Sequence, residues 1–176
     1  MLINSTYISL DGVVEDPHLW PVLEGRPGDA RAEQIQTDLL LACDAVLMGR
    51  HTYEGFAPVW QARSGDPASE RINTMPKYVA STTLKDPEWA NTIVIAGDVA
   101  GEVARLKAEL GDIVQYGIGP VTTLLLQHGL VDEFRLWVHP LFVGSGGAVA
   151  VPATQLVLTD TLALDSGIVI LTYRTA

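Results

Sequence analysis

The sequence predicts an α/β fold: one domain on a mostly parallel sheet, finished at its C-terminal end by an antiparallel hairpin. Three observations predict it. Short apolar runs alternate with helix-spaced segments over three quarters of the chain, the pattern of strand–helix–strand units covered on both faces. From residue 131 onward strands follow one another, and Asp165-Ser166-Gly167 separates the last two as a hairpin turn. The length of 176 residues suits one domain, residues 1–176, with a sizeable core and no internal repeat or linker.

Residues 2–10 carry Ile3, Thr6, Tyr7, Ile8 and Leu10 and predict a strand, stopped by the turn dipeptide Asp11-Gly12. Residues 14–29 hold three prolines and two glycines and read as a long loop, a kind of segment that often carries function. Ala32, Ile35, Leu39, Ala42 and Cys43 recur at helical spacing, which predicts an amphipathic helix over 30–43. A buried strand at 45–48 follows, then a helix from 51 to 61. Residues 62–76 are polar and broken, with room for a turn or two of helix. Strands are expected at 77–81 and 91–97. Asp98 suits the N-cap of a helix that runs to Leu110, with Gly111 at its end. A strand at 112–117 and a helix at 120–128 precede a strand at 131–144, with His139-Pro140 toward its end. Strands at 154–162 and 167–174 complete the chain.

Composition excludes several classes. Hydrophobic content of 48% with 18% charged residues fits a globular chain, not a disordered one. No apolar run reaches the roughly 18 residues of a membrane span. The N-terminus lacks a charged region and a small-residue cleavage site, so the expected location is the cytoplasm, without membrane contact. Net charge is −10, and the 11 basic residues are scattered, which argues against nucleic-acid binding. An anionic ligand would need a site made locally, against the overall field. The lone Cys43 allows no internal disulfide and is assigned to the core. His18, His128, His139 and Cys43 show no metal-ligand spacing, and no metal is expected.

Three clusters stand where strands end. Gly49-Arg50-His51-Thr52 opens a helix: the glycine admits close approach, the N-terminal N–H groups and dipole favour an anion, and arginine offers a fork of donors. A plain N-cap with a surface arginine would read the same way. Gly117-Ile118-Gly119 opens the helix that starts at Pro120, a second potential anion cradle or simply a tight turn; Thr122 stands where the dinucleotide fingerprint has its third glycine. Ser81 and Thr82 follow the strand at 77–81, with Lys85 close by, and could hold a phosphate or line a solvated loop. In an open α/β sheet, ligands bind beyond the carboxyl ends of the strands. One ligand with several phosphates would use all three clusters.

The segments VLMGRHTYE, YVASTTL and DIVQYGIGPVTTLLL resemble those of dihydrofolate reductases. YISLDGVV, EDPHLWP, GLVDEFRL and HPLFVGSGG resemble still more closely the reductase domain of the bifunctional riboflavin-pathway deaminase-reductase and its stand-alone relatives. The resemblance covers nearly the whole chain. It implies a three-layer α/β/α sandwich, a mixed sheet of about eight strands, NADPH as hydride donor and a homodimer; the C-terminal strands, residues 154–174, are rich in Val, Leu and Ile and offer a seam. It implies that Gly49, Arg50, His51 and Thr52 hold cofactor phosphates, that Ser81 and Thr82 sit near the adenosine 2′-phosphate, and that Gly117, Ile118 and Gly119 admit the pyrophosphate. The nicotinamide would lie near the loop from Asp11 to Trp20. These two residues are the candidates for substrate contact, although Trp20 could equally anchor its loop. Dihydrofolate reductases carry a proton-delivering carboxylate on the first helix. Glu33 stands at the matching distance before Arg50, and Asp38 is its rival. The zinc site of the deaminase half has no counterpart, because H-x-E and P-C-x-x-C are both absent. The expected activity is NADPH-dependent reduction of a pterin or an aminopyrimidine riboflavin precursor. The alternative is a nucleotide- or pterin-binding protein that keeps the fold without turnover.

Overall fold

The computed structural model describes residues 1–21 and 29–176. Among them, strands and helices alternate in the order β1 (Leu2–Ser9), α1 (Ala30–Ala42), β2 (Ala45–Gly49), α2 (Arg50–Gln61), α3 (Pro67–Thr74), β3 (Lys77–Ala80), β4 (Thr92–Ile95), α4 (Val99–Glu109), β5 (Ile113–Tyr116), α5 (Pro120–Gln127), β6 (Glu133–His139), β7 (Leu156–Ala163) and β8 (Val169–Thr175). The described strands form one sheet of eight in the order β4-β3-β2-β5-β1-β6-β8-β7. The first six run parallel, and β8 and β7 join antiparallel, as the hairpin signal predicts.

Apolar patterning assigns the helices to two faces. Ile3, Val46, Met48, Val79 and Val114 pack against Leu39 and Leu40 of α1, Tyr53 and Ala57 of α2, and Ala68 and Ile72 of α3. Leu2, Ala45, Leu47, Tyr78 and Ile113 pack on the other side against Val103 and Leu106 of α4 and Leu125 of α5. Four of the five residues of β2 are fully buried, as a central strand covered on both faces requires. The result is the expected three-layer α/β/α sandwich with a mixed sheet.

Several boundaries differ from the sequence reading, each for a local reason. The strand expected over 131–144 ends at His139, because Pro140 has no N–H for the ladder. Residues 62–76 contain a full helix, α3, started by Asp66, whose carboxylate accepts from the Ser69 N–H at 2.9 Å. Cys43 is buried but lies just past α1, in extended conformation at its C-cap. The strands at 77–81, 91–97 and 112–117 are each trimmed by one or more residues at their ends. Within the loop expected at 14–29, Pro17–Leu19 form one 3-10 turn, and residues 22–28 lie outside the described part. No helix among the described residues is long and apolar enough to cross a membrane.

Lys77 opens β3 from a fully buried position. Its ammonium donates to the carbonyls of Ile72, Asn73 and Met75, closing the C-terminal end of α3. Desolvation lowers its pKa to about 8.

Candidate functional site

Adjacent strands whose connections leave toward opposite faces open a crevice at their carboxyl ends. β2 runs directly into α2 on the first face, β5 runs into α5 on the second, and β1 returns to the first face through α1. The switch therefore falls at β5, with β2 on one side and β1 on the other.

The two glycine-bearing junctions meet at this point. A Cβ on Gly49 would touch Val121 Cγ2 at 3.5 Å, and a Cβ on Gly117 would stand 2.8 Å from Thr52 Oγ1. Gly117 has φ +82°, a backbone state that L side chains rarely adopt. Gly119, the N-cap of α5, is extended and has open space where its Cβ would be. Thr52 thus packs its hydroxyl against Gly117 from a distant part of the chain. Ala80 lies beside Gly49 in register, so Ser81 leaves the neighbouring strand at the same edge. All three clusters read from the sequence lie on one border of the sheet.

Arg50 and His51 at this border each have a carboxylate partner. The Arg50 guanidinium donates to Glu54 at 2.8 Å, one turn along α2. His51 Nε2 lies 3.1 Å from Asp16, which ties the loop after β1 to the start of α2. Both pairs are well exposed, so neither contributes much to stability. The N-cap of α2 is a glycine, and no side chain caps its first turn. Ser81 Oγ accepts from the N–H groups of Thr83 and Leu84 at 3.1 and 2.9 Å, which shapes the loop after β3, and Thr82 is exposed.

A second loop pair closes the β1 end of the crevice. Asp11 accepts from Ser9 Oγ at 2.5 Å and from the N–H groups of Val143 and Gly144 at 3.1 and 2.8 Å. Glu15 accepts from the Gly147 N–H at 2.8 Å, and Val13 bridges to Ala148. Asp11 is therefore the clamp that holds the 140–147 loop against the end of β1. The Ser9 hydrogen bond, then those from Gly144 and Val143, lower its pKa from 3.8 to about 2. Its folded pKa lies below its unfolded one, so the clamp is at full strength above about pH 4 and is lost as pH falls toward 2. The protection factors of the Val143 and Gly144 amides, exchange corrected for its intrinsic pH dependence, are expected to fall across that window in the native chain. In Asp11→Asn they should be low already at neutral pH and unchanged by acid.

Trp20 is buried, and its indole N–H donates to the Glu15 carbonyl at 2.8 Å. It anchors its own loop, and its ring meets His139 edge-on at 5.5 Å. Tyr7 stands between Trp137 and His139 at 5.8 and 4.7 Å and is partly open to solvent. Burial raises the Tyr7 pKa, against the hydrogen bond that its hydroxyl accepts from Gln36 at 3.4 Å. This aromatic group went unread in the sequence, although Tyr7 and His139 each occupy the last two or three residues of a strand.

The two acids of α1 are separated. Asp38 lines a hollow of about 240 Å³ with Met1, Ala42 and Asp112, at the amino ends of the strands and so opposite the cradles. Glu33 lies in the first turn of α1, one turn before Gln36, at the end of the helix that the chain enters from the carboxyl end of β1. Both side chains are exposed.

Beneath the Gly117–Gly119 turn lies a buried polar chain that the sequence reading missed. Thr6 Oγ1 donates to Asn4 Oδ1 at 2.8 Å. Asn4 Nδ2 donates to Gln115 Oε1 at 3.1 Å and to the Gly117 carbonyl at 2.9 Å. Gln115 Nε2 donates to Thr122 Oγ1 at 2.9 Å, and that hydroxyl donates to the Gly117 carbonyl at 3.2 Å. All four side chains are 5% exposed or less. The available signal was an amide in each of two strands placed to be central and buried, since buried amides need partners.

The model of the RibD C-terminal domain family matches residues 1–170. A Bacillus subtilis (strain 168) protein, YyaP, itself uncharacterized, is 29% identical over 185 residues, covering 98% of this chain and 94% of that one. A pyrimidine reductase-like protein of Corynebacterium diphtheriae superposes with a TM-score of 0.64 at 16% identity, over 99% of this chain and 91% of that one. A diaminohydroxyphosphoribosylaminopyrimidine deaminase/5-amino-6-(5-phosphoribosylamino)uracil reductase of Thermotoga maritima gives 0.64 at 15% identity, over 100% of this chain and 56% of that longer one. The structural matches establish the shared fold; the family match spans nearly the whole sequence. The chain belongs to the RibD C-terminal domain family.

Proposed function

We propose that this protein is an NADPH-dependent reductase that passes hydride to a small heterocycle of the pterin or aminopyrimidine type found among riboflavin precursors. The observation that carries the reading is the meeting of two glycine junctions, Gly117 on Thr52 and Gly49 on Val121, at the switch strand. Close backbone approach is preserved there, and a Cβ on Gly117 would fill the cradle. Family membership and a reductase-like relative support it.

In this reading the start of α2, with Arg50, His51 and Thr52, binds phosphate through N–H groups, a guanidinium and a hydroxyl. Ser81 and Thr82 border the 2′-phosphate. The bound nicotinamide supplies the hydride. The protein's own part would be to hold the acceptor against it in a reactive alignment. Tyr7 and His139, with the loop clamped by Asp11 and anchored by Trp20, border the acceptor. Glu33, at the crevice end of α1, delivers the proton, directly or through water; Asp38 faces the wrong end of the sheet for that task. The open edge strand β7, with Val157 and Leu158 half exposed, is the proposed seam of a homodimer.

The exposure of both candidate acids favours one rival, a protein that binds nucleotide without turnover. Titration with NADPH, followed by tryptophan fluorescence and thermal shift, tests binding. Loss of reduced-nicotinamide absorbance with a pterin and aminopyrimidine panel tests turnover. Arg50→Ala is expected to raise the NADPH Kd roughly 10- to 100-fold, the loss of one charge-assisted contact of about 1.5–3 kcal/mol. It should also narrow the preference over NADH. Glu33→Gln should retain binding and lose turnover; unchanged turnover would remove Glu33 from the mechanism. No response to millimolar NADPH by either binding measure would end the proposal.

A further inference from the structure

We infer that Asn4, Gln115 and Thr122 are positioning residues that aim the N–H of Ile118 into the crevice as a donor to the cofactor's pyrophosphate. The inference rests on the proposed NADPH reading and adds the part of the molecule that presets the cradle.

The argument starts from the Gly117 carbonyl. It accepts two hydrogen bonds from below, from Asn4 Nδ2 at 2.9 Å and from Thr122 Oγ1 at 3.2 Å. A trans peptide carries its C=O and its N–H on opposite sides, and no cis bond occurs among the described residues. With the carbonyl held inward, the N–H of Ile118, in the same peptide unit, faces the other way. The Ile118 side chain packs with the α5-side core, which removes a further freedom of this unit. The next N–H, that of Gly119, turns back toward Thr122 Oγ1 at 3.4 Å. One donor of the turn is thus directed out and its neighbour in.

The chain of bonds is fully determined. Thr122 Oγ1 has one hydrogen, spent on the Gly117 carbonyl, so it must accept from Gln115 Nε2. That fixes the Gln115 amide with its oxygen toward Asn4, and the Asn4 amide with its nitrogens toward Gln115 and Gly117. Thr6 fills the remaining Asn4 oxygen. Flipping either amide would set like against like among buried side chains. Three of these residues are on the paired strands β1 and β5, and the fourth is in the first turn of α5. The network therefore locks the turn to the switch strand β5 and its neighbour β1. A polar chain of this kind is costly to bury and unnecessary for a simple strand-to-helix turn. Its geometric product is the orientation of one peptide.

The test uses the full-length chain and two probes. NADPH carries the pyrophosphate; adenosine 2′-monophosphate carries the 2′-phosphate and nothing at the 5′ position. Thr122→Val keeps shape and removes the hydroxyl. Its NADPH Kd is expected to rise about tenfold or more, with the 2′-monophosphate Kd held within about twofold, because only one of the two ligands has a phosphate that reaches the aimed donor. Thr122→Ser should restore NADPH binding to near the native value. Equal weakening of both probes would show a merely structural network and overturn the inference, as would no change in either. If Thr122→Val does not fold, Thr6→Val removes the far end of the same chain and should show the same selective loss at about threefold. Equal effects on the two probes in that variant overturn the inference equally. Native protein that binds neither probe overturns the cofactor reading itself, which separates that failure from this one.

Discussion

Gly117→Ala is expected to weaken NADPH binding by about 100-fold, whereas Gly119→Ala, two residues on, stays within about twofold of native. The pair isolates backbone geometry from local chemistry. At Gly117, φ is +82°, and an L side chain there costs roughly 1–2 kcal/mol before any contact is counted. The new methyl would also stand 2.8 Å from Thr52 Oγ1, well inside contact distance. Relief requires either Thr52 to move with the first turn of α2 or the turn to move away from β2. Both motions pull apart the two cradles that a single pyrophosphate must bridge, and one lost charge-assisted bond costs about 1.5–3 kcal/mol more. Gly119 has extended backbone and open space at its Cβ, so alanine meets neither penalty. Thr52→Ala in the Gly117→Ala background should recover part of the loss, because it clears the collision but leaves the backbone strain. Isothermal titration of the four proteins reads the comparison directly. Equal affinity in Gly117→Ala and native protein would show that no ligand uses this junction.

Local patterning made some of the site legible, and distance hid the rest. Gly49-Arg50-His51-Thr52 could be read because an apolar run ends at a glycine and helix spacing begins at once. The switch at β5 followed only from knowing on which face α2 and α5 pack, which depends on which side of each strand is apolar and on sheet order. The contact of Thr52 with Gly117 joins residues far apart in sequence, and no local signal encodes it. Asp11 was read as a turn residue with a possible ligand; its carboxylate instead holds the N–H groups of Val143 and Gly144. The sequence does carry the glycines of that second loop, but not their pairing with an acid at the end of β1. Asn4 and Gln115 stand in the sequence as amides within strand segments, but nothing local marks them as partners. Asp38 and Glu33 share helical spacing and polarity, and only the direction of α1 relative to the sheet separates them.

The other large effect is expected far from the phosphates. Trp89→Ala should lower unfolding free energy by about 3–5 kcal/mol, a large share of the stability of a domain this size. Trp89 is 2% exposed and sits in the first-face core with Tyr53, Ile72 and Val79. Its backbone N–H donates to the Tyr53 hydroxyl at 3.2 Å, and its indole N–H donates to Asn73 Oδ1 at 2.7 Å. The Lys77 ammonium lies 4.8 Å from the ring centroid, so the indole also covers a buried cation. Truncation leaves a large cavity, an unpaired Asn73 oxygen and a lysine with one side uncovered. Trp89→Phe should cost less, about 1–2 kcal/mol, because it fills most of the volume and loses chiefly the hydrogen bond. The consequence reaches the site through chain geometry. The segment from Ser81 to Asn91 joins two parallel strands without a helix, and Trp89 is its buried anchor. With the anchor gone, the loop bearing Ser81 and Thr82 loosens, while the Gly117 junction, built on β1, β2 and β5, keeps its register. Trp89→Ala examined well below its melting temperature is therefore expected to retain NADH affinity and lose part of its preference for NADPH. An equal loss for both nucleotides would place the 2′-phosphate elsewhere than on the Ser81 loop. Denaturant unfolding gives the stability change, and paired titrations with the two nucleotides give the second.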